Sequence, residues 1–156
     1  MTEQPGTKNV LFVCADNSSR SQMAEGFMRE RAAKRFEAAS AGTRSARLDP
    51  LAVRVMAEVG IDITEQCSKS VVEMTGERFD YVIAVGDLVR EARPFFPGEK
   101  RLHWSVDDPA QVKGSEELLL EEFRRVRDEI SSRVDEFLSA HDPAIGHLEN
   151  KTLATM

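Results

Sequence analysis

Short, unbroken apolar runs alternate along this chain with longer stretches of helical periodicity, and that alternation constrains the fold more than any other feature. "NVLFV" at 9–13 is too short for a helix and lacks the polar alternation of a half-solvated strand, so it reads as a strand buried on both faces of a parallel sheet. Periodicity then changes: Met23, Ala24, Phe27 and Met28 recur at three- and four-residue spacing, ahead of arginines and a lysine, as in an amphipathic helix. "FEAASAG" is a second strand closed by Gly42. "DPLAVRVMAEVG" opens with Asp49 as N-cap and Pro50 at the first helical position, and stops at Gly60. "FDYVIAVGD" at 79–87 repeats the opening pattern, and "KRLHWSV" at 100–106 is a fourth strand candidate. A last helix from Ser115 to about Leu138 puts Leu119, Phe123, Val126, Ile130, Val134 and Phe137 on one stripe, with "SEE" supplying its cap and acidic first turn. The arginines of "RRVR" at 124–127 sit among glutamates and read as a solvated face without functional weight. Together these elements predict a doubly wound α/β sheet, whose ligands bind beyond the carboxyl ends of the strands.

Length and charge narrow the setting. A chain of 156 residues fits one domain, taken as residues 8–140, and 41% hydrophobic with 31% charged residues suits a packed globular core. Periodicity is lost in "HDPAIGHLENKTLATM", so 141–156 is expected to be a flexible tail. The formal charge of −6 argues against broad binding to nucleic acid or anionic membrane, which want a basic surface. No apolar run is long enough to span a bilayer and "MTEQPGTK" lacks a secretory core, so a cytoplasmic location is expected; the chain is taken to be a monomer. Two cysteines, Cys14 and Cys67, are too few for a disulfide framework and read as free thiols. With His103, His141 and His147 they form no zinc-ligand spacing.

The segment from Cys14 to Arg20 leaves the first strand and enters the first helix. Unpaired N–H groups and the dipole at a helix entrance attract an anion, and the same field can lower a cysteine pKa from about 8.5 to roughly 3.5–7.5. Arg20 offers a planar fork for a tetrahedral oxyanion, while Ser18, Ser19 and Ser21 offer hydroxyls to the sulfur or the ligand. Ala15, Asp16, Asn17, Ser18 and Ser19 would then cradle the oxyanion with Arg20. Attack on such a ligand needs a proton for the departing oxygen, and "VDDPA" at 106–110 lies beyond the fourth strand on the same edge, with Asp107 and Asp108 as candidate acids. A bare Cys-x5-Arg is a weak signal, since a buried cysteine is ordinarily a small hydrophobe; the strand before, polar loop within and helix after give it weight. Asp16 is the discordant residue: a carboxylate 4 Å from the ligand would oppose it by about 1–4 kcal/mol unless it turns outward.

At these residues the chain resembles the low-molecular-weight protein tyrosine phosphatases and, more closely, the arsenate reductases on the same fold. The resemblance runs over residues 8–140 through "NSSRSQMAEGF", "SAGT", "VGIDI", "FDYVI", "HWSVDDPA" and "FRRVRDEISSRV". It implies a three-layer flavodoxin-like fold with a four-stranded parallel sheet, Cys14 as nucleophile, Arg20 as oxyanion clamp, Ser21 as hydroxyl partner of the sulfur, Asp108 before Pro109 as general acid, and Asn17 as the residue shaping the loop. It also implies a potassium site at Asn17, Glu25, Ser40 and Asp62. Phosphatases of this fold carry aromatic residues after the Asp-Pro pair; "DDPAQVKG" has none, and Tyr81 and Trp104 are the chain's single Tyr and Trp, which favours a small inorganic oxyanion. The reductases' relay cysteines are missing from "VIAVGDLVREARPFF", and Ser19 stands where many relatives have a cysteine. The implied activity is conversion of arsenate to arsenite through a Cys14 thiol-arsenate adduct. An external thiol (glutathione with glutaredoxin, thioredoxin or mycothiol) would resolve it, unless Cys67 in "TEQCSKS" does. Hydrolysis of phosphotyrosine or small phosphate esters is the alternative, and an oxyanion-binding module without turnover is a third.

Overall fold

The computed structural model describes residues 6–87 and 100–141. Residues 142–156 of the expected tail and most of the cysteine-free segment after the third strand lie outside them.

Strand β1 (Lys8–Cys14) forms the middle of a four-stranded, wholly parallel sheet of order β2-β1-β3-β4, with β2 at Phe36–Gly42, β3 at Tyr81–Val85 and β4 at Lys100–Trp104. Lys8 to Cys14 runs in register with Phe36 to Gly42 on one side, and Val10 to Val13 with Tyr81 to Ala84 on the other. Val10, Leu11, Phe12 and Val13 are fully buried, which is why this run is apolar without alternation. Chain order reverses direction across the sheet at β1, so the carboxyl end of β1 is the switch point where an open α/β sheet leaves a crevice. Cys14 is the last residue of that strand.

Three α-helices share one face: α1 (Arg20–Ala32), α2 (Pro50–Glu58) and α3 (Glu116–His141). They pack their apolar residues with Val10, Phe12, Cys14, Ile83 and Val85 of the sheet. On the other face Leu11, Val13 and Val82 meet Val71, Met74 and Phe79, which belong to a 3-10 turn at Val71–Met74 and the approach to β3. Trp104 packs on Phe12 with ring centroids 5.6 Å apart, and Tyr81 meets Phe137 edge-on at 5.1 Å. Among the described residues no helix is long and apolar enough to cross a membrane.

Three helical expectations are refined. α2 starts as its caps require, Asp49 Oδ1 accepting from Leu51 N at 2.9 Å with Pro50 at the first position. α3 runs on to His141, and its apolar stripe begins at buried Leu120, with Leu119 only half-buried. The arginines of "RRVR" are not all solvated: Arg127 is 9% exposed, donating from Nη1 to Val55 O and Glu58 Oε1, both at 2.9 Å, while Arg124 pairs with Glu58 at 2.7 Å. They tie the carboxyl end of α2 to α3, where unpaired helix carbonyls welcome cations. Hydrogen bonding to Arg124 holds the Glu58 carboxyl at about 2, well below its usual value.

The largest departure is α1. Every residue from Arg20 to Met28 is buried, including Ser21, Gln22 and Glu25, and only its last turns reach solvent. An amphipathic helix would leave one polar face wet; this one buries its polar face against the loop that precedes it.

Candidate active site

The loop from Cys14 to Arg20 is held from outside by its own carbonyls. Thr43 N and Arg44 N donate to Cys14 O and Ala15 O, Ala46 N to Asp16 O (all 3.1 Å), Asp49 N to Ser18 O and Met23 N to Ser19 O (both 2.8 Å). Asn17 O accepts from Gln22 Nε2 at 3.0 Å. With the carbonyls turned outward, the N–H groups are left for the inner side, and none of the backbone N–H groups of 15–19 is spent in the described backbone bonds. Asn17 is the one non-glycine residue with positive φ (52°) among those described, a conformation that asparagine tolerates better than most residues. Gly42 lets β2 come close: a Cβ there would lie 2.4 Å from Arg44 O and 2.7 Å from Asn17 N, both backbone atoms.

Cys14, 2% exposed, lies at the foot of this loop with Ser21 Oγ 2.9 Å from its sulfur. Asn17 Nδ2 donates to Ser21 Oγ at 2.8 Å, so one lone pair of that hydroxyl is taken and its proton is available to the sulfur. Arg20 begins α1, and its guanidinium reaches the residues that follow β3 and β4. Its Nη1 donates to Val106 O at 3.0 Å, its Nη2 lies 3.7 Å from Asp108 Oδ2, and its buried Nε has no acceptor among the described residues. A buried guanidinium N–H without a partner is costly unless an acceptor comes to it. This orphaned donor, bordering the same cleft as Ala15 and Asp16 of the loop, suits an oxyanion. Gly86, directly after β3 with φ +117°, makes room for the guanidinium, since a Cβ there would lie 2.2 Å from Arg20 Nη1.

Asp108 is half-buried, caps the 3-10 turn Pro109–Gln111 through Ala110 N at 3.0 Å, and faces Arg20. Asp107 turns away to Arg125 at 3.4 Å. Asp16 also points outward and pairs with Arg44, whose pKa is raised by that hydrogen bond. Its charge is therefore answered outside the loop. A cleft of about 620 Å³ opens over these residues, bordered by Asp16, Arg20, Arg44, Asp107 and Asp108 with no aromatic side chain among its described walls.

Cys67 is exposed, and both cysteines are free. Its segment is sewn to the loop: Lys69 N donates to Asn17 Oδ1 at 2.9 Å and Ser68 Oγ to Asp16 O at 3.2 Å. Of the four residues assigned to potassium, three converge. Asn17 Nδ2 donates to Ser40 Oγ at 2.9 Å, and Ser40 Oγ to Glu25 Oε1 at 2.7 Å. Asp62 stands apart on the surface, its Oδ1 engaged by Thr64 N at 2.9 Å and Thr64 Oγ1 at 2.6 Å, which lowers its pKa. The donor set does not fit a potassium ion. Asn17 Oδ1 is already occupied by Lys69 N and by Gln22 Nε2 at 3.0 Å, and the second oxygen of Glu25 is bound by Arg29.

Sequence reasoning read Gly42 only as the end of a strand and passed over Gly86, Arg44, Gln22, Gln66 and Arg29. Only the glycines left a local signal, each closing a strand at the crevice edge.

Comparison with known proteins agrees with this architecture. The profile of the family "Low molecular weight phosphotyrosine protein phosphatase" matches residues 9–146. The arsenate reductase of Bacillus subtilis is 41% identical over 131 residues, covering 83% of this chain and 94% of that one. A solved arsenate reductase in the oxidized state superposes with a TM-score of 0.75 at 35% identity, over 86% of this chain and 98% of the other. A thioredoxin-dependent arsenate reductase of Corynebacterium glutamicum gives 0.67 at 26% identity, over 87% of this chain and 62% of the other. Fold, loop and relatives converge: the chain belongs to the low molecular weight phosphotyrosine protein phosphatase family, among its arsenate reductases.

Proposed function

We propose that this protein reduces arsenate to arsenite with Cys14 as nucleophile. The Cys14 sulfur attacks arsenic while the inward amides of the loop and the free Nε–H of Arg20 hold the arsenate oxygens. An As–O bond breaks as the S–As bond forms, and Asp108 gives the departing oxygen its proton so that it leaves as water. A second thiol then attacks the Cys14 sulfur. The S–As electron pair stays with arsenic, which falls from As(V) to As(III) and leaves as arsenite, and the two sulfurs are left as a disulfide.

The observations that carry this reading are a buried Cys14 sulfur with a hydroxyl donor at the start of the loop, and, in the cleft bordered by Ala15 and Asp16 of the same loop, an Arg20 guanidinium whose buried Nε has no acceptor among the described residues, with a carboxyl oxygen of Asp108 3.7 Å from its Nη2. Walls without aromatic side chains among the described residues favour an inorganic oxyanion over a phenyl ester.

The resolving thiol is external in this proposal. Cys14 is buried and Cys67 exposed, and "VIAVGDLVREARPFF" contains no cysteine. Thioredoxin is the first reductant to try, since a relative of this fold depends on it; glutathione with glutaredoxin and mycothiol are the others. Two free thiols suit a reducing cytoplasm, and the chain is proposed to act there as a monomer.

Arsenite formation is measured with each reductant in turn, beside hydrolysis of a chromogenic phosphate ester. Arsenite turnover with one reductant and slow ester hydrolysis is the expected result; ester hydrolysis without arsenite would replace the reading by a phosphatase. Cys67→Ser is expected to keep its turnover, and loss would move the resolving step inside the chain.

A further inference from the structure

The network behind Cys14 contains a cation of its own. Asn17 Oδ1 accepts from the backbone N–H of Lys69, which can only donate, so the orientation of the Asn17 amide is fixed and its Nδ2 must point toward Ser21 and Ser40. One proton goes to each hydroxyl. Ser40 then passes its own proton to Glu25 Oε1, and Ser21 is left to direct its proton at Cys14. The whole polarity of the chain depends on an acceptor at Glu25.

Glu25 is 4% exposed, and a carboxylate at such depth needs a counter-charge. Arg29, one helical turn on, binds its second oxygen through Nη2 and reaches Gln66 Oε1 with Nη1 at 3.1 Å. Gln66 Nε2 in turn donates to Gln22 O at 2.9 Å and Gln22 Oε1 at 2.8 Å, and Gln22 Nε2 donates to Asn17 O and Oδ1, both at 3.0 Å. Two arms leave one guanidinium, through Glu25 and Ser40 and through Gln66 and Gln22, and both end on Asn17. Exposed i,i+4 pairs on helices contribute little. This one differs because its carboxylate side chain is 6% exposed while the arginine is half in solvent.

We propose that Arg29 is the resident cation of this site, replacing a bound potassium ion and setting the direction of the hydrogen bonds that end on the Cys14 sulfur. Arg29 is a positioning residue, acting through Glu25, Ser40, Asn17 and Ser21; the proposal rests on the reading of Cys14 as the working thiol.

The test uses the full chain with Cys67→Ser, so that Cys14 is the single thiol. The pH profile of Cys14 alkylation by iodoacetamide and the thermal midpoint are recorded in potassium chloride and in tetramethylammonium chloride at equal ionic strength. With Arg29 in place, both readouts are expected to be the same in the two salts. Arg29→Met is expected to move the alkylation profile upward by about one pH unit and to raise the thermal midpoint in potassium over tetramethylammonium, while Arg29→Lys stays near the parent. A parent protein that responds to potassium overturns the proposal, as does an Arg29→Met protein with an unmoved alkylation profile. Should Arg29→Met not fold, the salt comparison on the parent and the Arg29→Lys profile still decide: a shifted Arg29→Lys profile in a potassium-responsive parent rejects it, and unmoved values in both support it. Neither readout uses arsenate, so failure of the reductase assay and failure of this inference are separate results.

Discussion

α1 and α3 pack against each other on the same face of the sheet, and they are built by opposite rules. α3 buries Leu120, Phe123, Val126, Ile130 and Val134 and leaves its glutamates outside. α1 buries Ser21, Gln22 and Glu25 as thoroughly as Met23 and Phe27. Burial of a polar group stabilises nothing unless the group is paired, and in α1 nearly every one is. The comparison teaches that one helix is organised around the core and the other around the loop that precedes it.

Exchanging parts should separate the two roles. Cys14→Ser, at the foot of the loop, is expected to abolish arsenite production while the thermal midpoint moves little; residual turnover would remove the nucleophile from α1's side of the comparison. Arg20→Lys loses the planar fork, and a fall of roughly 10²–10³ in kcat/KM for arsenate is expected, the scale for an oxyanion donor. Gly86→Ala puts a methyl group on the Arg20 guanidinium at a positive φ; turnover should fall by at least about tenfold, with stability lost by roughly 1–3 kcal/mol in denaturant melts. Ile130→Ala in α3 is the mirror experiment, costing about 2–5 kcal/mol of stability while the folded fraction keeps its kcat/KM. A large kinetic effect there would break the division between the helices.

The smallest effect lies at the seam of α2 and α3. Hydrogen bonding to Arg124 lowers the Glu58 carboxyl to about 2. A carboxyl depressed in the folded state contributes stability above its unfolded pKa, near 4.5, and that stability is lost as pH falls from there toward 2. Glu58→Gln should flatten the thermal midpoint across that window by no more than a few degrees.

Strands and caps could be read from the chain because their causes are local. "VLFV" at 10–13 is apolar throughout because both neighbours of β1 are strands and both faces are covered, and Asp49-Pro50 caps the periodic run that follows it. α1 was misjudged as amphipathic because its apolar spacing is real while its polar residues are buried too. Arg127 was taken for a solvated charge because nothing in "RRVR" announces that Val55 O and Glu58 lie opposite. Gly86 drew no notice in "FDYVIAVGD" because the guanidinium it accommodates is 66 residues earlier in the chain.

By itself the sequence determined the order of strands and helices, the parallel topology, and the presence of a cysteine and an arginine in one loop at the end of a buried strand, since propensity and periodicity act over a few residues. Tertiary structure alone decided that Asp108 rather than Asp107 faces Arg20, that Asp16 turns out to Arg44, and that Arg29 serves as the counter-charge of Glu25 while Asp62 stays apart. Those outcomes depend on distances of a few ångströms between side chains, because electrostatic pairing and burial are set by neighbours in space.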